Sequence, residues 1–221
     1  MRASKEFKFI DLRILIILAL FFPACIQNFE SYIYPKNEIL HLYKSPKIDS
    51  YHFQKVALLP MVQDDTTHNG TFYSTNHFLN VLERKFPNKT FFIPSPGESG
   101  IADSLIPSLI ESIEKLKKLD LKDIYNSELA YSIEEENPDA ILIGTFSKFT
   151  LGKGYSMRFR ATITSCEITY YLISLKDGRV LWKAHALGEE GYYLLQNDEI
   201  YPPLDYSISN GIDKMVEVIP F

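Results

Sequence analysis

The chain has 221 residues, with 23 Lys and Arg against 28 Asp and Glu, 46% apolar residues and two cysteines. A formal charge of −5 argues against a nucleic-acid binder, which carries a basic face. Two cysteines cannot staple a domain of this length, so its core must be hydrophobic. Fifteen Phe, 14 Tyr and a charged fraction of 23% exclude a disordered chain.

The N-terminus reads as a targeting segment. Arg2, Lys5, Lys8 and Arg13 outnumber Glu6 and Asp11, and residues 14–22 follow as nine consecutive apolar residues. A spanning helix needs about 20 residues, so this run has the length of a signal-peptide h-region. It stops at Phe22-Pro23-Ala24-Cys25. A small residue before Cys, directly after an h-region, resembles the lipobox of bacterial lipoproteins. The resemblance implies cleavage after Ala24 and a thioether-linked diacylglycerol on Cys25. Ile26 in place of Asp implies, by the enteric sorting rule, the outer membrane. An ordinary cleaved signal and a retained anchor are the other readings of the same residues. Each buried CH₂ contributes roughly 0.8 kcal/mol, so two or three acyl chains hold a protein on a bilayer almost permanently.

Residues 25–53 read as the lipidated Cys and an irregular arm with Pro35, Pro46 and scattered aromatics, and residues 54–221 as a single α/β domain. KVALLPM (55–61) suits a strand buried on both faces. Phe78, Val81, Leu82 and Phe86 fall at helical spacing, and TFFIP (90–94) reads as a short strand. Over 104–119, Ile106, Leu109, Ile110, Ile113 and Leu116 form one helical stripe, with Pro107 in the first turn. A further helix is expected from Ser127 as N-cap to Asn137, before Pro138. DAILIGTFSKF (139–149) predicts a central strand. In 158–175 the apolar parity switches, from Phe159, Ala161 and Ile163 to Cys166, Ile168, Tyr170 and Leu172, which predicts a β-bulge. Lys176-Asp177-Gly178 signals a hairpin into RVLWKAHAL (179–187). Residues 188–204 read as a long loop, and 203–217 as a C-terminal helix. The order β-α-β-α-α-β-β-β-α predicts a mixed sheet of about five strands with helices against it.

VALLPM, then a helix, then PDAILIGTFSKF, then a strand ending in LKDGRVLW is similar to a set of envelope lipoprotein domains. These include the curli-secretion protein CsgG, the penicillin-binding-protein activator LpoB, the N-terminal domain of TolB and uncharacterised lipoprotein families. The resemblance covers roughly 54–218, and its motifs mark the fold rather than a chemistry.

The sequence supplies little catalytic vocabulary. His41, His52, His68, His77 and His185 show no HExxH or zinc spacing. Asp64, Asp65 and His68 share one loop that reads as a solvated acidic loop rather than a cation site. There is no GxSxG elbow, and Gly152-Lys153-Gly154 lacks the rest of a phosphate loop. Cys166, in ITSCEIT, reads as a small buried side chain. Tyr170 and Tyr171 read as core. Tyr192, Tyr193 and Tyr201, in the 188–204 segment, are the candidate partner surface, since Tyr is favoured at interfaces and long loops carry function. No catalytic residue, metal or cofactor is expected beyond the lipid on Cys25.

Three functions follow as expectations. The first is a non-enzymatic, lipid-anchored protein docking on an envelope assembly, export or cell-wall partner. The second is a CsgG-like oligomeric channel subunit, which needs membrane hairpins of about 9–11 residues per strand. Only 145–175 offers these, and Arg158, Arg160 and Glu167 interrupt it. The third is an envelope hydrolase with an unrecognised site. Removal of the four basic and two acidic leader residues leaves 19 basic against 26 acidic, or −7. That balance weakens any adhesion to anionic lipid through a basic face.

Overall fold

The computed structural model describes residues 35–63, 71–94, 105–156, 159–194 and 200–221, so Ala24 and Cys25 lie outside the described residues. In chain order the elements are β1 (Glu38–Lys44), a 3₁₀ turn (Ile48–Ser50), β2 (Lys55–Leu58), β3 (Val62–Gln63), α1 (Thr71–Lys85), β4 (Thr90–Phe92), α2 (Leu105–Leu116), α3 (Leu121–Tyr125), α4 (Ala130–Glu136), β5 (Ala140–Ser156), β6 (Phe159–Ser174), β7 (Val180–Leu194) and α5 (Leu204–Val218). The strands make one mixed sheet in the order β1-β7-β6-β5-β2-β4, with β3 beside β5. β2 runs parallel to β4 and β5, whereas β5, β6, β7 and β1 are antiparallel. The expected α/β plan holds, with β1, β3 and α3 added to it.

Each face of the sheet has its own core, because β5 opens with a run that is apolar at every position. Ala140 and Leu142 point to one side with Leu58, Ile168, Tyr170, Leu172 and Trp182. There they meet Phe78 and Leu82 of α1 and Ile208, Ile212 and Met215 of α5. Ile141 and Ile143 point to the other side with Ala57, Tyr171 and Ile173. That side is covered by Ile106, Leu109 and Ile113 of α2, Ile124 of α3 and Ile133 of α4. A strand buried on both faces needs such a run, as the central parallel position dictates. Asp139, just ahead of the run, accepts hydrogen bonds from Gln54 N and Lys55 N at 2.8 and 3.0 Å. Its carboxylate ties the start of β5 to the start of β2.

The helix boundaries follow local chemistry. Asp120 caps α3, its Oδ1 accepting from Lys122 N at 3.1 Å. Ser127 does not open α4 directly. Its Oγ accepts from Leu129 N at 3.2 Å, one short turn ahead of the helix. Asn137, at φ 45°, ends α4 in the left-handed conformation immediately before Pro138.

Three expectations are corrected. The arm contains β1, paired with β7 along the sheet edge. It escapes a hydrophobic pattern because six of its seven residues are exposed. The loop expected at 188–204 is strand as far as Leu194. And β6 carries no bulge where its apolar parity switches: its pairing with β7 is regular from Arg160 to Leu172, and the irregularity opposite it lies in β5, between Ser147 and Thr150. The even-numbered face stays buried through Thr162 and Thr164, whose hydroxyls donate to the carbonyls of Ile200 and Pro202. The polar residues are on the core side because the segment before α5 supplies acceptors there.

Candidate functional site

β5, β6 and β7 extend as a three-stranded ribbon beyond the last pairing of β5 with β3 at Phe146. This far end of the ribbon gathers the sequence-predicted surface. Tyr192 is half-buried and pairs across the sheet with Thr162. Thr162 in turn bonds the carbonyl of Ile200, next to the half-buried Tyr201. Tyr192 and Tyr201 therefore lie at the same end of the ribbon. Tyr193 pairs with Ala161, and its side chain lies outside the described residues.

The same ribbon carries a polar cluster that sequence reading missed. His185 Nε2 donates to Glu167 Oε2 at 2.8 Å across β7 and β6, and Lys148 Nζ reaches the same carboxylate at 3.0 Å. The three are far apart in the chain and meet only through strand pairing, so no motif announces them. Glu167 thus joins a side chain of β5 to one of β7 on the sheet surface. Among the described residues there is no group of three or more His, Cys, Asp or Glu able to hold a metal ion. The Asp64, Asp65 and His68 loop lies outside the described residues.

Cys166 is fully buried, and desolvation, followed by the charge of Glu167, pushes its thiol pKa up to about 12. It stays a protonated thiol, as a core side chain does. Tyr170 is likewise in the core, and burial raises its pKa. Tyr170 Oη and Trp182 Nε1 are buried without a hydrogen-bond partner among the described residues. Tyr171 is buried on the opposite face, with its hydroxyl donating to Glu114 Oε1 at 2.6 Å. Lys183 Nζ lies 4.8 Å from the Tyr171 ring centre. These residues, with His41, Tyr43 and Lys117, line a cavity of about 310 Å³ between β1 and the end of α2.

A second cavity, of about 510 Å³, is lined by Tyr51, Tyr125, Asp139 and Asp177 at the amino ends of β2 and β5. In open α/β sheets ligands favour the carboxyl ends of the parallel strands. Here those ends lead into 64–70 and 95–104, outside the described residues. Tyr51 Oη donates to Asp177 Oδ2 at 2.8 Å, tying the N-terminal segment to the β6–β7 turn. Desolvation pushes the Asp177 pKa up, but hydrogen bonds from Tyr51, Arg179 N and Ser174 and the Arg179 charge outweigh it, and the net shift is downward. A depressed carboxyl pKa stabilises the fold above the unfolded-state value of about 3.9, and that contribution is lost as pH falls through the folded value. Asp177→Asn is therefore expected to flatten the acid limb of a stability-versus-pH curve and leave its neutral slope unchanged. Urea unfolding at stepped pH reads this directly, and parallel acid limbs in the two proteins would contradict it.

No protein-family profile matches the chain, and no curated protein matches it. Several solved structures are similar to it. The PelC dodecamer from Paraburkholderia phytofirmans is 12% identical over 82% of this chain and 95% of that chain, with a TM-score of 0.45. Lipoprotein GNA1162 from Neisseria meningitidis is 16% identical over 66% and 87%, with a TM-score of 0.36. The hypothetical protein CT253 from Chlamydia trachomatis is 7% identical over 67% and 77%, with a TM-score of 0.40. These are likenesses of chain path, and neither activity nor assembly is carried from them to this chain. Among the described residues no helix is long and apolar enough to cross a membrane.

Proposed function

We propose that the chain is a bacterial envelope lipoprotein, held to the membrane through lipid on Cys25, whose α/β domain acts by docking on an envelope protein rather than by catalysis. The observation that carries this reading is the leader itself: a basic segment, nine apolar residues and Ala24-Cys25. The domain adds a surface suited to docking, with Tyr192 and Tyr201 brought to the same end of a projecting ribbon.

The test of the anchor is metabolic labelling with palmitate in wild type and Cys25→Ala. Label in the wild type and none in the variant, with release of the variant from the membrane fraction, is the expected result. Equal labelling would falsify the anchor. For the docking role, crosslinking in envelope extracts from a photoreactive residue placed at Tyr192 is expected to trap a protein absent when the same residue is placed at Tyr131, an exposed position on α4. The same trapped proteins from both positions would sink it.

The channel reading has one observation in its favour, the length of β5 and β6, which are 17 and 16 residues. Against it, the far half of β6 is covered on one face by the segment before α5, where Thr162 and Thr164 are buried. A hairpin released into a bilayer would have to shed that cover and satisfy both hydroxyls anew.

A further inference from the structure

β1 and the end of α2 border a space that neither builds alone. Tyr43, Lys183 and Tyr171 pair in one row across β1, β7 and β6, so their side chains stand on the same face of the sheet. His41, two residues earlier on β1, lines the same space. α2 supplies the facing wall through Ile113, Glu114 and Lys117, and Ile113 and Lys117 are four residues apart, on one side of its last turn. Lys117 takes the left-handed conformation, at φ 55°, where glycine is the usual residue after a helix. Its N–H donates to Ile113 O at 2.8 Å and closes the turn.

The cavity between these walls, about 310 Å³, has the volume of a small-molecule site. Ile113 is buried and Val180 half-buried, which gives it an apolar floor. Its carboxylate is already engaged: Glu114 Oε1 accepts from the Tyr171 hydroxyl at 2.6 Å and lies 3.7 Å from Lys183 Nζ. Its other polar groups are not. The side chains of His41, Tyr43 and Lys117 make no hydrogen bond or ion pair among the described residues. Charge here runs against that of the whole chain. Glu111 to Lys118 holds three lysines against two glutamates, and Lys183 adds a fourth cation. Lys117 also offsets the partial negative charge at the end of α2.

We propose that this cavity binds a small aromatic carboxylate. Lys117 meets the carboxylate, and Lys183, which has three donors and only one acidic partner, supplies a second ammonium. The imidazole of His41 adds a neutral hydrogen bond. The flat body of the ligand lies against Val180 and the ring of Tyr43, which is 43% exposed. Glu114 sets the charge that is accepted, because its own negative charge in the wall opposes a dianion and leaves a single carboxylate as the better fit. The proposal stands apart from the anchor reading, since every residue it uses is in the α/β domain and β1.

The experiment follows the full chain, labelled with fluorotyrosine, by fluorine NMR, with the Tyr43 and Tyr170 resonances assigned through their Phe variants. Benzoate is the probe, and benzamide, its neutral counterpart of the same shape, is the control. The Tyr43 resonance is expected to move saturably with benzoate, and benzamide to bind about ten-fold more weakly or worse, as loss of a charge-assisted contact dictates. Lys117→Met keeps the apolar stem and removes the charge, and is expected to weaken benzoate by about the same factor. Lys122→Met, exposed on α3 and outside the cavity wall, is expected to leave it unchanged. Tyr170, in the core, reports that each variant is folded. No saturable shift at Tyr43, equal binding of benzamide, or wild-type affinity in Lys117→Met overturns the proposal.

Discussion

Gly188→Ala is expected to destabilise the domain by about 3 kcal/mol or more, the range of overpacking where nothing can yield. A Cβ on Gly188 would lie 1.9 Å from Ser207 O and 2.7 Å from Gly211 N, both backbone atoms of α5. Helix and strand touch main chain to main chain at this point, so the added carbon can be accommodated only by lifting α5 away from β7. Lifting it stretches the 2.7 Å bond from Ser207 Oγ to Thr164 O and the 2.8 Å bond from Asn210 Nδ2 to Glu189 O. It also opens the contact that buries Ile208, Ile212, Met215 and Val216. Urea and thermal unfolding of the purified variant measure the loss. A melting temperature within about 2 °C of wild type would show that α5 is not held this closely.

Trp182→Ala is expected to cost about 3–5 kcal/mol, as deletion of a large buried aromatic does. Trp182 has no exposed surface and sits in the first core with Leu172, its partner across β6 and β7. Trp182→Phe separates volume from polarity. The indole N–H has no hydrogen-bond partner among the described residues, so its removal breaks nothing and relieves a desolvated donor. The Phe variant is expected to lose less than half of what the Ala variant loses. Equal losses in denaturant titrations would mean that the indole nitrogen is bonded after all.

The sequence announces those parts of this molecule that depend on neighbours in the chain. Ala140–Ile143 reads as a strand buried on two faces, and it is one. Lys176-Asp177-Gly178 reads as a hairpin turn, and Gly178 takes the φ of 71° that the turn demands. What escapes notice depends on partners far away. β1 is a strand because β7 offers it an edge, not because its side chains alternate between core and water. Thr162 and Thr164 are core residues because Ile200 and Pro202 bring carbonyls to them. His185, Glu167 and Lys148 become a cluster through strand register alone. The same holds for the candidate surface. The tyrosines are visible as residue types, but their placement at one end of the ribbon depends on the pairing of Thr162 with Tyr192.

The seam between the two ends of the chain has a consequence for when the domain can fold. Lys36 and Glu189 are 153 residues apart in sequence, yet they join the first described segment to the last strand. β1 has no strand partner other than β7 among the described residues, and the lid over β7, α5, follows β7 in the chain. Pairings this distant are slow to close, because their loop entropy is paid before any contact offsets it. A chain emerging from a ribosome N-terminus first holds no β7 for β1 to pair with until Val180–Leu194 has been made. β1 stays an unpaired edge for that whole interval, and its pairing with β7 is a late event in folding.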